Sequence, residues 1–177
     1  MKKDSALSLT IIPMFAALTA ILSQIAIPIG PVPVNLSLVS VFLSAAILST
    51  HNAVISQVIY ILLGVIGVPV FTSFNSGIQA LVGPTGGYII GYIPCVLITG
   101  MLIQRFGKKF IGRAISMLLG LASCYALGTA WFMRLTQTPA WSALTLCVFP
   151  FLIADAIKII FATIISLKIK NKISTEV

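Results

Sequence analysis

The chain has 177 residues, 59% of them hydrophobic and only 8% charged, where an ordinary soluble domain is about 45–50% apolar and about 25% charged. No Asp, Glu, Lys or Arg occurs between Ser5 and Gln104; a water-facing surface of that length is excluded and the lipid bilayer is the expected solvent. The formal charge of +8, from 11 Lys and Arg against 3 acids, points to no nucleic-acid partner, because the basic residues gather at the ends of apolar runs.

A helix needs about 20 residues to cross the roughly 30 Å hydrocarbon core, and Pro, Gly and charge mark its ends. On that basis the sequence predicts an all-α integral membrane protein of six transmembrane helices, residues 1–177 forming a single domain. The first span runs from about Leu9 to Ile27, behind Lys2 and Lys3. It is longer than the 7–15 apolar residues of a secretory leader, and more membrane follows it, so it is expected to stay in the structure. Ala16 and Ala20 make a small-xxx-small ridge there, which lets another helix approach closely. A Pro28-Ile29-Gly30-Pro31-Val32-Pro33 turn ends the span, and the second and third spans follow at about Asn35 to Ser49 and Ala53 to Ile66. His51, the single histidine, falls between them and is expected to have no ligand role.

From Gly67 to Gly86 the apolar pattern is broken too often for a spanning helix. Thr72, Ser73, Asn75, Ser76 and Gln79 supply polar groups, and Gly83-Pro84-Thr85-Gly86-Gly87-Tyr88 leads into the fourth span. Long loops of this kind are often lids, and glycines allow close backbone approach, although an irregular connection accounts for the Gly and Pro equally well. The fourth span is about Gly87 to Ile103, the fifth about Arg113 to Phe132 and the sixth about Ser142 to Leu167. Lys2, Lys3, Arg105, Lys108, Lys109, Arg113, Lys168, Lys170 and Lys172 then all fall in segments on one side if both termini are cytoplasmic, as the positive-inside bias asks. Trp131 and Trp141 would anchor the opposite interface.

Asp155 and Lys158 are the charged residues inside a span, each costing about 2.5–3.5 kcal/mol at a helix centre on insertion scales. Three residues apart, they share one helix face, and Asp155 lies roughly 21 Å beyond Trp141, near mid-membrane. They either glue two helices together or present a carboxylate and an ammonium to a polar ligand. Pro150 removes a helical hydrogen bond just before them, so a bend toward a cavity is expected.

Other chemistry has no foothold. There is no P-loop, no His and acid cluster for a metal, and no nucleophile with a base beside it. Cys95, Cys124 and Cys147 are isolated thiols in apolar runs, expected to pack rather than pair. A lipid-processing membrane enzyme and a purely structural bundle remain as alternatives to a small-molecule carrier.

Four segments carry a family resemblance: Ile27 to Pro33, Leu63 to Phe71, Gly83 to Tyr88, and Pro150-Phe151 through Asp155 to Lys158. Together they make the chain similar, over nearly its whole length, to the BioY family of biotin-binding S components of energy-coupling factor (ECF) transporters. Two places depart from the family pattern: the loop Thr72-Ser73-Phe74-Asn75-Ser76-Gly77 is poorer in glycine, and Asn35 and Ser37 stand where a Thr and a Gln are common. The resemblance implies a non-enzymatic six-helix subunit that captures biotin and needs no cofactor. It would work with a membrane scaffold protein and two cytoplasmic ATPases, Ala16 and Ala20 docking on the scaffold. Biotin offers two ureido N–H donors, a carbonyl, a sulfur, an apolar tail and a carboxylate. The expected binding residues are Asp155, Lys158, Asn75, Gln79, Gly83, Thr85, Gly86, Gly87 and Tyr88. Capture of another vitamin is the nearest alternative.

Overall fold

The computed structural model describes residues 2–28 and 32–175, with side chains described for 10–28 and 32–169. The centre of the predicted Pro-rich turn and the side chains of Lys2, Lys3, Lys170 and Lys172 lie outside these.

The helices, in chain order, are α1 (Lys2–Gln24), α2 (Ser37–Ile47), α3 (Thr50–Val65), α4 (Ile78–Val82), α5 (Gly86–Phe106), α6 (Phe110–Thr136), α7 (Ala140–Cys147) and α8 (Leu152–Thr175). Among the described residues three stretches are long and apolar enough to cross a membrane: Gly86–Phe106, Phe110–Thr136 and Ala140–Ile169. Thr10–Gln24, Ser37–Ile47 and Thr50–Val65 are apolar but shorter. The only strands among the described residues are β1 (Ala26–Ile27) and β2 (Val34–Asn35), paired antiparallel on either side of the predicted turn, so α1 stops at Gln24 and α2 starts at Ser37 rather than at the expected Ile27 and Asn35.

An apolar core is interspersed with buried polar groups, and large apolar side chains also cover the outside. Ile21, Leu62, Ile111 and Ile153 are more than half exposed, whereas Thr19, Ser40, Ser44, Ser56 and Gln57 are fully buried. In lipid this is the stable arrangement, because hydrocarbon gains nothing by leaving lipid and polar groups act between helices. Thr19 Oγ1 donates to Ser40 Oγ at 2.9 Å, and Gln57 Nε2 reaches Ser56 Oγ at 3.2 Å and Thr19 Oγ1 at 3.4 Å, so α1, α2 and α3 are tied together through hydroxyls.

Helices α5 and α6 form an antiparallel hairpin closed by the turn at 107–109. Glycine permits their closeness. A Cβ at Gly128 would lie 2.3 Å from the Tyr88 ring, and one at Gly87 would lie 2.3 Å from Trp131 Cβ. The bend expected at Pro150 is a full interruption: α7 stops at Cys147, a 3₁₀ turn spans Phe149–Phe151, and α8 starts a new helix. Pro150 sits within that turn, where its missing N–H leaves no helical bond unmade.

Candidate binding site

The interruption before α8 places Asp155 in the first turn of a new helix. Asp155 is 2% and Lys158 5% exposed, and Lys158 Nζ donates to Asp155 Oδ1 at 2.6 Å. The other carboxylate oxygen, Oδ2, accepts a short hydrogen bond from the Tyr125 hydroxyl on α6. Asp155 therefore has two donors, as a buried carboxylate requires. On its other flank Lys158 borders an apolar groove with Leu18, Leu22, Val39 and Phe161, hydrocarbon that cannot pair with an ammonium.

Above this pair lies a cavity of about 270 Å³. Its floor is Asp155, Lys158 and Tyr125, and Tyr60, Phe71, Tyr92 and Phe151 contribute aromatic walls. Tyr60 meets Phe71 edge-on, ring centroids 5.6 Å apart at 83°, and Tyr92 at 6.2 Å. Phe71 is itself seated by Gly64, where a Cβ would meet the ring at 2.0 Å.

The mouth is formed by Asn35 of β2 and by Thr72, Ser73 and Asn75 of the loop that follows Phe71. Two straps hold that loop. Tyr92 shares a 2.5 Å hydrogen bond with Ser37 Oγ, Ser37 Oγ donates to Asn35 Oδ1 at 2.5 Å, and Asn35 Nδ2 donates to Thr72 Oγ1 at 2.7 Å. From α1, Gln24 Nε2 donates to the Val70 and Phe71 carbonyls, both at 3.1 Å, while its Oε1 accepts from the Phe74 N–H at 2.9 Å. These bonds stabilise the left-handed backbone of Ser73 (φ 61°) and Phe74 (φ 56°), a conformation non-glycine residues rarely adopt.

Of the residues expected to bind ligand, Asn75, Thr85, Tyr88, Asp155 and Lys158 line this one cavity. Gln79, Gly83, Gly86 and Gly87 are not part of its lining, and the structure gives them other surroundings. Gln79 is exposed on α4. The Gly83 carbonyl accepts from the Trp131 indole N–H at 3.0 Å, which pins the turn to α6. Gly86 lies so close to Leu81 that a Cβ would fall 1.6 Å from its carbonyl oxygen, and Gly87 packs on α6. The glycines thus shape the entrance to α5 and aim Tyr88, whose hydroxyl bonds Thr129 at 3.0 Å. Tyr125, Tyr92, Tyr60, Phe71 and Phe151 were not expected from the sequence; a hydroxylated ring in mid-span, as at Tyr125, was the available signal. Ala16 is 1% exposed within the bundle core and Ala20 is half-buried against it, while Ala17 is exposed.

The BioY family profile matches residues 1–175. The chain belongs to the BioY family. It is 36% identical over 174 residues to the biotin transporter BioY2 of Lactococcus lactis subsp. cremoris, covering 98% of this chain and 96% of that protein. With the biotin transporter BioY of Thermotoga maritima the identity is 37% over 158 residues, 89% of this chain and 92% of that one. A crystal structure of the S-component for biotin from an ECF-type ABC transporter superposes with a TM-score of 0.91 at 26% identity, over 97% of this chain and 94% of that one. As a BioY-family chain built on long apolar helices, the molecule is a membrane protein.

Proposed function

We propose that this chain captures biotin and serves its uptake as the substrate-binding subunit of an ECF-type transporter, with six helices crossing the cytoplasmic membrane and both termini inside. One observation carries the reading: in a BioY-family chain, the only ion pair among the described residues forms the floor of an aromatic-walled cavity.

The chemistry of that floor suits a ureido group. A cyclic urea presents N–H and C=O side by side, and the Asp155 carboxylate and Lys158 ammonium offer an acceptor and a donor side by side, 2.6 Å apart. Asp155 accepts from a ureido N–H and Lys158 donates to the ureido carbonyl, both as charge-assisted hydrogen bonds in a water-poor site. The fused rings and apolar tail lie against Tyr60, Phe71, Tyr92 and Phe151. The ligand carboxylate points to the mouth, where Asn35, Thr72 and Asn75 are neutral polar partners. Apolar walls with a few convergent polar groups are the usual form of a small-molecule site.

Biotin is cargo in this scheme and is returned unchanged. The sequence carries no P-loop with which to hydrolyse a nucleotide. A scaffold protein and two ATPases supply the energy. Equilibrium binding of labelled biotin to the purified chain tests the proposal, with 2-imidazolidone-free fatty acids of equal length as controls. Saturable 1:1 binding that the controls do not displace is expected; displacement by the controls would mean that the ureido edge is not what the site reads.

A further inference from the structure

The turn between α5 and α6 holds a positive charge for which the biotin site has no use. Arg113 is 1% exposed. Its Nε donates to the Gly107 carbonyl at 2.9 Å, while Nη1 is buried without a partner. A guanidinium withdrawn from water ordinarily finds a carboxylate or a phosphate. The only carboxylate among the described side chains is Asp155, which is engaged by Lys158 and Tyr125. Tyr125 lies twelve positions along α6 from Arg113, roughly 18 Å away at the helical rise.

Further positive charge converges on the same turn. Arg105, Lys108 and Lys109 are exposed there. Helix α6 starts behind Lys109 with no side-chain cap and no acid in its first turn, so its free N–H groups and the positive end of its dipole also face the turn. Immediately beside these charges the surface becomes hydrocarbon: Phe106, Phe110, Ile111 and Ile115 are 57%, 41%, 70% and 51% exposed. Cationic groups at the end of two membrane-length helices, bordering an apolar strip that continues along α6, match an amphiphile with an anionic head and acyl tails.

We propose that the α5–α6 turn is a binding site for an anionic phospholipid. The headgroup phosphate accepts from Lys108, Lys109 and the first N–H groups of α6, and an acyl chain follows Ile111 and Ile115. Arg113 is a positioning residue: it fixes the turn through the Gly107 carbonyl and adds its charge from beneath. A soluble phosphate would use the charges and ignore the apolar strip.

Native mass spectrometry of the full chain, released from micelles containing phosphatidylglycerol or phosphatidylcholine, reads the retained lipid directly. The parent is expected to retain phosphatidylglycerol preferentially. Lys108→Gln with Lys109→Gln should weaken that retention about 25-fold, at about fivefold per lysine, leaving phosphatidylcholine and biotin binding unchanged. Arg113→Gln should lose much of the preference and Arg113→Lys recover it; if the Arg113 variants do not fold, the lysine pair alone decides. Equal retention of both lipids, a preference undiminished in the lysine variant, or displacement of the lipid by an equal concentration of inorganic phosphate would each overturn the proposal.

Discussion

Replacing the ion pair at the cavity floor separates what it does for the fold from what it does for the ligand. Asp155 and Lys158 are 2% and 5% exposed and 2.6 Å apart. Removing one partner, as in Lys158→Met or Asp155→Leu, leaves a buried charge uncompensated, at about 3–5 kcal/mol. Removing both together should cost less, because the desolvation cost disappears with the attraction and about 1–3 kcal/mol remains for the Tyr125 hydroxyl that loses its acceptor. Binding should behave differently. Two hydrogen bonds to charged groups, each about 1.5–3 kcal/mol, are lost in the double variant. Their sum of about 3–6 kcal/mol corresponds to roughly 10²- to 10⁴-fold weaker biotin binding. Thermal unfolding in detergent reads the first effect and labelled-biotin titration the second. A double variant that folds and still binds biotin within tenfold of the parent would refute the assignment of the pair to ligand recognition.

Three further variants probe the supports. Tyr125→Phe deletes the hydroxyl that donates to Asp155; unfolding should show a loss of about 1.5–3 kcal/mol, and biotin titration a weaker affinity. Gly128→Ala sets a Cβ 2.3 Å from the Tyr88 ring, so overpacking of about 1–3 kcal/mol should appear as a lower unfolding midpoint with weakened binding; an unchanged midpoint would show that α5 and α6 are not held this closely. Ala16→Trp places an indole at a position 1% exposed and should abolish monodisperse protein in size-exclusion chromatography, whereas Ala17→Trp, on the exposed side of α1, should fold and bind biotin. Loss of scaffold co-purification in the Ala17 variant alone would put docking on that exposed face.

The apolar segments were legible because, in a chain without charge from Ser5 to Gln104, Pro and Gly remain as punctuation and lipid-crossing helices demand length. The elements that were missed are short. The β1–β2 pair and α4 have two and five residues, too few for a repeating apolar pattern to mark them. Asp155 and Lys158 stood out because charge in a span needs a reason. Tyr60, Tyr92 and Phe71 did not, since an aromatic residue in an apolar run looks the same whether it faces lipid, core or cavity. Gly86 and Gly87 belonged to a motif that does shape the site, but their lack of a side chain serves Leu81 and Trp131 rather than a ligand.

The most direct test of the account is the identity of the molecule that the cavity holds. Protein purified from cells supplied with biotin, washed, denatured and extracted for mass spectrometry should release intact biotin at one equivalent per chain, and the variant lacking both Asp155 and Lys158 should release none. A different vitamin in the extract, or equal biotin from parent and variant, would contradict it.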